Sequence, residues 1–234
     1  MKNLILSLAV IFVAGLFNTV NAQEFIPRTL GFSTKKGCIL KTKDGQTIEG
    51  TLSTMKLKKG LVDQIKMKTL NGKKVKYKAA DVEWFRVPPS KLGNLASMME
   101  NSASVSKLTK ANFGEIVKKD YVYFEQALLP GKKPRYLLLQ LVNPGFDSKI
   151  KVFDDPKAKS TAGVSVGGIQ ATGGNLKSFY VVKNDVAQRI RKKDFAEMKD
   201  WIFGDCPALD AAFGGDLKFK EFAAQVFFYD QECK

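Results

Sequence analysis

The chain has 234 residues, 44% of them hydrophobic, with a formal net charge of +15 and no histidine. The missing imidazole excludes Ser-His-Asp and Cys-His nucleophile activation and zinc or copper sites built on histidine. Cys38, Cys206 and Cys233 are too far apart in sequence to suggest a structural zinc site, so neither a metal nor a cofactor is expected.

Met1-Lys2-Asn3 carries one positive charge and leads into an apolar run from Leu4 to Leu16, broken only by Ser7 and Gly15. Val20 and Ala22 then place small or modest residues in an A-x-A-like site. The pattern predicts a cleavable secretory signal over residues 1–22, cut between Ala22 and Gln23. Its apolar part is too short for the roughly 20 residues that span a bilayer, and no later stretch approaches that length. A transmembrane helix is therefore not expected in the mature chain, whose destination would be the periplasm, the outer-membrane surface or the medium. Losing Lys2 with the signal leaves 37 basic and 23 acidic residues, a net +14.

Residues 23–110 read as an N-terminal β region with a connecting helix. Cys38–Thr42 and Thr47–Leu52 flank Lys43-Asp44-Gly45-Gln46, whose Asp-Gly predicts a tight type I′ hairpin. Leu61–Leu70 turns at Asn71-Gly72 into Lys73-Val75-Tyr77, and Val82–Val87 stops at Pro88-Pro89. Five short strands with two tight turns suit a small barrel or a strongly twisted sheet. A helix is expected in the first part of the segment from Pro89 to about Lys110, with Leu92, Leu95 and Met98 or Met99 at helical spacing.

The same region concentrates charge. From Lys35 to Lys78 there are 13 lysines against Asp44, Glu49 and Asp63. Lys41, Lys43, Lys56, Lys58, Lys59, Lys66, Lys68, Lys73, Lys74 and Lys76 are the candidate polyanion-binding residues. Such a face attracts phosphate-bearing polymers or an anionic membrane. Lysine offers a hydrated point charge rather than a planar fork, and a solvated face that discourages edge pairing explains the same pattern. Export removes nucleic acid as an ordinary partner.

Residues 111–193 read as a second β region. Tyr121–Leu128, Tyr136–Val142 and Ile150–Phe153 are predicted strands, separated by Pro130-Gly131 and Asn143-Pro144-Gly145 turns. The nearly unbroken run Leu137–Val142 implies a central strand. Residues 160–175, rich in Gly, Ser and Thr, predict a mobile loop, with no phosphate-cradling glycine motif in it. Phe179–Lys183 is the expected return strand.

Residues 194–234 turn helical. Phe195, Met198 and Ile202 share one helical face, Asp205-Cys206-Pro207 suits a helix start with Asp205 as cap, and Gly214-Gly215 suits its end, with Asp216 capping the next. Phe219, Phe222, Val226, Tyr229 and Cys233 then recur on one face. In an oxidising compartment cysteines pair, and three of them allow three pairs. The expected bridge is Cys206–Cys233, between the start of one terminal helix and the end of the last, leaving Cys38 single on a strand, as a buried small apolar residue or, the lesser alternative, as a site of intermolecular pairing.

The tail Asp205-Cys206-Pro207-Ala208-Leu209, followed by an aromatic-rich stretch and Tyr229-Asp230-Gln231-Glu232-Cys233, resembles that of secreted proteins of unknown function from Gram-negative bacteria, with Asp230 where that group has Asn. The Lys43-Asp44-Gly45 hairpin followed by Thr47-Ile48-Glu49-Gly50 is similar to their early strands. The resemblance implies an envelope or secreted location and supports the disulfide; it carries no catalytic residues.

The fold class expected is α+β, mainly β: a small antiparallel barrel or sheet, a second antiparallel region and disulfide-tied C-terminal helices. The function expected is that of a non-catalytic binding or scaffold module, partnered by an envelope protein or polymer. Trp84, Phe85, Tyr121, Tyr123 and Phe124 could line a groove for sugar or peptide, but at strand spacing such residues are more often core. Two alternatives remain: electrostatic attachment to anionic surface polymers, and a carboxylate-based glycan hydrolase. Asp154-Asp155 are weak candidates for the second, since neighbours on a strand face opposite ways and Pro156 follows.

Overall fold

A computed structural model describes residues 24–58, 60–91, 121–129, 135–158, 164–166, 169–171 and 177–233. The expected signal, nearly all of the helix expected after Pro89, and Lys59 lie outside the described residues. The protein is mainly β, with a closed six-strand antiparallel barrel, a second antiparallel sheet and C-terminal helices.

The first five strands are β1 (Gly37–Thr42), β2 (Thr47–Lys58), β3 (Leu61–Thr69), β4 (Lys74–Lys78) and β5 (Val82–Val87). β6 (Val122–Leu129) and β7 (Arg135–Gln140) follow. The sheet order is β2-β1-β5-β6-β7-β3-β4, and β2 also pairs with β3, which closes the barrel. Val62 opposite Leu138 joins β7 to β3, and β4 is appended along the rest of that β3 edge. β6 and β7, read from sequence with the second β region, thus belong to the first sheet.

Alternation in sequence becomes inside and outside here. Leu40, Ile65, Met67, Val82, Phe85 and Cys38 fill the barrel with almost no exposure. Gly50 is required where β2 crosses β3: a Cβ there would lie 2.2 Å from the Lys68 carbonyl oxygen. Register shifts near Leu52/Thr54 and Lys56/Leu57 bend the pair at that crossing.

The two hairpin turns depart from the expected type I′ at Asp44-Gly45. Positive φ falls on Gly45 (87°) and Gly72 (82°) alone within these turns. Each loop has three residues, closed by the Thr42 amide to the Gln46 carbonyl (2.9 Å) and the Thr69 amide to the Lys73 carbonyl (2.9 Å). That is a type I turn followed by a left-handed residue. Thr42 bonds Asp44 and Thr69 bonds Asn71 through the same hydroxyl-to-side-chain contact. The two-residue turn with positive φ at both positions lies elsewhere, at Asn184 (50°) and Asp185 (60°).

The second sheet is β12-β11-β8, formed by β8 (Ile150–Asp154), β11 (Ser178–Lys183) and β12 (Val186–Arg191). Between β8 and β11, β9 (Val164–Val166) and β10 (Ile169–Ala171) make a short antiparallel pair inside the segment expected to be a loop. Asn143 anchors the turn before β8: it donates to the Phe146 and Ile150 carbonyls (both 2.8 Å) and accepts from the Val152 amide (2.8 Å).

Three helices cover this sheet: α1 (Phe195–Phe203), α2 (Pro207–Ala212) and α3 (Phe222–Glu232). Ile202, Leu209, Phe222 and Val226 are buried against Ile150, Val152, Val181 and Ile190. Cys206 and Cys233 form the expected disulfide, with Cα atoms 5.5 Å apart. Asp205 does not cap α2, whose N-cap position is Cys206, and Asp216 does not cap α3, whose N-cap position is Glu221. Asp205 instead accepts hydrogen bonds from Lys183 and Tyr229, and Asp216 pairs with Lys218.

A third core cluster joins the layers. Ala127, Leu129 and Leu139 on the barrel wall pack with Leu141, Phe153 and Ala187. β6 and β7 are therefore apolar on both faces, which explains the nearly unbroken run that begins at Leu137. Residues 24–33 form an extended strap over both units. Phe25 sits among Phe146, Phe179 and Phe222, the Thr29 amide donates to Gln140 Oε1 (3.0 Å), and Phe32 meets Phe124 edge-on at 5.5 Å.

Candidate functional site

The alternating lysines of β3 and β4 become a ladder. Lys66 stands directly opposite Lys76, Lys68 opposite Lys74, and Gln64 opposite Lys78. On the other side of β3, Lys56 faces Gln64 and Thr54 faces Lys66. Lys56, Lys66, Lys68, Lys74, Lys76 and Lys78 are all exposed. Neighbouring strands lie about 4.8 Å apart, and alternate residues along one about 6.8 Å. Two rows of like charge thus share one small sheet face. Like charges directly opposite cost a few tenths to about 1 kcal/mol per pair. Among the described residues, none of Lys66, Lys68, Lys74 and Lys76 has a salt-bridge partner, while Lys56 reaches Asp63 at 3.7 Å.

Register also divides the sequence-based set. Lys41 belongs to β1 and pairs with Glu83 at 3.0 Å. Lys43 sits in the β1–β2 turn with its ammonium 3.8 Å from the Tyr136 ring centre. Lys58 is exposed near the opposite end of β2, and Lys73 lies in the β3–β4 turn. Lys78 was not among the candidates, although period-2 spacing from Lys74 and Lys76 marks it. Leu70, at the tip of the β3–β4 hairpin, is 81% exposed.

An open cleft of about 920 Å³ lies along the junction of β6 with the second sheet and α3, with Glu125, Tyr136, Asp147, Lys151, Lys183, Asp185 and Tyr229 in its walls. Most of its charge is used internally. Lys151 pairs with Glu125, and Lys149 donates to the Asp230 and Cys233 carbonyls at the end of α3. Lys183 is buried, donating to the Ile202 carbonyl (2.7 Å) and Asp205 Oδ1 (2.8 Å). Burial alone would raise the Asp205 pKa, but hydrogen bonds from Lys183 and Tyr229 hold it below the ordinary value. Asp147 differs: burial first, then the Glu125 charge, raise its pKa.

Asp154 and Asp155, the neighbouring carboxylates, are both buried. Asp155 accepts from Ser178 Oγ (2.5 Å) and from Arg189 Nε (2.7 Å). Asp154 meets Arg28 Nε of the strap at 3.3 Å. Their opposite headings give each a separate arginine rather than one shared reaction centre.

The aromatic candidates divide in the same manner. Phe85 and Phe124 are barrel core, with ring centres 6.3 Å apart. Trp84 and Tyr123 are half-buried, with the Arg86 guanidinium 4.6 Å and 5.3 Å from their rings. Tyr121, also half-buried, immediately precedes β6. Cys38 is buried, and burial raises its thiol pKa to about 11. Among the described residues no group of three or more Cys, Asp or Glu is arranged to hold a metal ion, and no helix is long and apolar enough to cross a membrane.

Comparison with protein-family models, curated proteins and solved structures finds no match.

Proposed function

We propose that this is an exported, non-catalytic binding module that attaches to a polyanionic surface of the bacterial envelope through the β3–β4 lysine ladder. The observation carrying this reading is the direct opposition of Lys66 with Lys76 and of Lys68 with Lys74. Protecting an edge requires lysines on β4 alone. Adding two more on β3, each opposite another, lowers stability without shielding any edge, so a ligand that neutralises them is the physical reason to keep them. The Cys206–Cys233 bridge is compatible with an exported protein. The resemblance of the tail to secreted proteins supports the same compartment.

Retention on immobilised heparin, a model polyanion, tests the reading. Bound protein should elute with rising salt, with log affinity falling linearly against log salt. Replacing Lys66, Lys68, Lys74 and Lys76 together by Gln should abolish retention at moderate salt. The same change at Lys192, Lys193, Lys218 and Lys220 should have a much smaller effect. Equal loss from both sets would reduce the ladder to bulk charge and overturn the reading.

One observation favours a second reading, a carboxylate-based glycan hydrolase. Glu125 and Asp147 line one open cleft, and the Glu125 charge contributes to keeping Asp147 protonated to higher pH. A raised acid beside an ionised carboxylate is the division of labour that glycoside cleavage needs. Turnover of an envelope glycan that disappears in both Glu125→Gln and Asp147→Asn would establish it. The pairing of Glu125 with Lys151 favours the binding module instead.

A further inference from the structure

We propose that the surface met by the lysine ladder is an anionic phospholipid bilayer, with Leu70 at the hairpin tip entering the lipid interface. This rests on the ladder being a polyanion-docking face and names its occupant.

The two barrel hairpins supply the comparison. Thr42-Lys43-Asp44-Gly45-Gln46 and Thr69-Leu70-Asn71-Gly72-Lys73 are the same turn, with the same amide closures, the same threonine contact and the same left-handed glycine. The first turn has lysine at its second position and the second has leucine. Turn geometry therefore makes no demand for an aliphatic residue there. Packing makes none either, because Leu70 is 81% exposed, the most exposed large hydrophobic side chain among the described residues. Leu57 and Leu128, the next exposed leucines outside the strap, are 48% and 40% exposed.

The surroundings of Leu70 decide between occupants. Lys68, Lys73 and Lys74 flank it in sequence, and residues 61–78 hold six lysines against Asp63 alone. Glu49 precedes Gly50, the partner of Thr69, so one carboxylate of β2 stands beside this tip, outnumbered by its lysines, while Asp44 lies in the other turn. An anionic polymer gains from the lysines and nothing from the leucine. A bilayer gains from both: lipid phosphates meet the ammonium groups while the side chain leaves water for the acyl boundary. Lysine suits this task, since diffuse headgroups ask for point charges on flexible stems and not for a planar fork. Attachment of this kind is peripheral and needs no membrane-spanning helix.

Co-sedimentation of the mature chain with phosphatidylcholine vesicles, with and without phosphatidylglycerol, tests this beside heparin retention. Binding should require phosphatidylglycerol and weaken at high salt. Leu70→Ser should lower vesicle partitioning about threefold while leaving heparin retention and the melting temperature unchanged. The four-lysine Gln variant should lose at least about a hundredfold on vesicles and should lose heparin as well. Retention on heparin without any vesicle binding overturns the bilayer and leaves the polyanion reading standing. Equal vesicle binding by Leu70→Ser and the parent overturns the insertion of Leu70. Binding to neither probe overturns both.

Discussion

Asp154 is 2% exposed, meets Arg28 through one carboxylate oxygen, and leaves Oδ1 without a hydrogen-bond partner among the described residues. Burial raises its pKa to about 6; Arg28 pulls it down and Asp155 adds to the rise. The native state therefore holds this proton more tightly than the unfolded chain does. The stabilisation is complete below the unfolded value of 3.8 and disappears as pH rises through about 6. The difference amounts to about 3 kcal/mol. Asp154→Asn removes the titration, so between pH 4 and pH 7 its melting temperature should fall less, or rise more, than that of the parent. Parallel curves for the two proteins would show that Asp154 keeps an ordinary pKa. Asp155, one residue on, supplies the contrast: Ser178 and Arg189 surround it, and its side chain is fully enclosed by partners.

At the scale of elements, the β3–β4 hairpin keeps its lysines at the expense of stability. Lys76→Gln removes one member of an opposed pair, so at low salt it should raise the melting temperature by a degree or so, corresponding to about 0.5 kcal/mol. Screening in high salt should erase the gain, and polyanion affinity should fall in the same variant. A lower melting temperature would mean that Lys76 supports the hairpin rather than straining it. The α2–α3 pair is held differently, by a bridge between residues 27 apart. Replacing Cys206 and Cys233 by Ala should lower unfolding free energy by about 3–4 kcal/mol, read from urea titration. A loss below about 1 kcal/mol would show that packing of Phe222 and Val226 suffices alone. These elements also mark how far sequence reaches. Alternation exposed β1 to β5 because its signal is local, and the bridge was legible because Cys206 and Cys233 fall at the start of one terminal helix and the end of the last. β12 escaped, since Asn184-Asp185 forms its type I′ turn without glycine and Val186 points to solvent. The lysine run was legible as charge. Its division into a ladder and the separate Lys41 and Lys43 was not, because strand pairing and the β2–β3 register shifts decide it. The cleft was hidden for the same reason, as β6, β8, β11 and α3 meet only in three dimensions.

For the whole molecule, β6 and β7 are the shared wall. Phe124 and Leu138 face the barrel core, while Ala127, Leu129 and Leu139 face the second sheet. The strap adds a second tie, inserting Phe25 among three phenylalanines of the C-terminal core and Phe32 against Phe124 of the barrel. Two units with a common wall and a common strap should lose their structure together, because exposing either core strips one face from β6 and β7. Trp84 on the barrel and Trp201 on α1 report the two units separately. In Trp84→Phe and Trp201→Phe proteins, urea transitions followed by the remaining tryptophan should have the same midpoint. Phe25→Ala removes about 3 kcal/mol of packing, and although the ring contacts of Phe25 among the described residues lie in the C-terminal core, it should move both midpoints down by the same amount. A Trp201 transition that moves while the Trp84 transition stays would show that the barrel stands without its neighbour, and that the apolar outer face of β6 and β7 tolerates water.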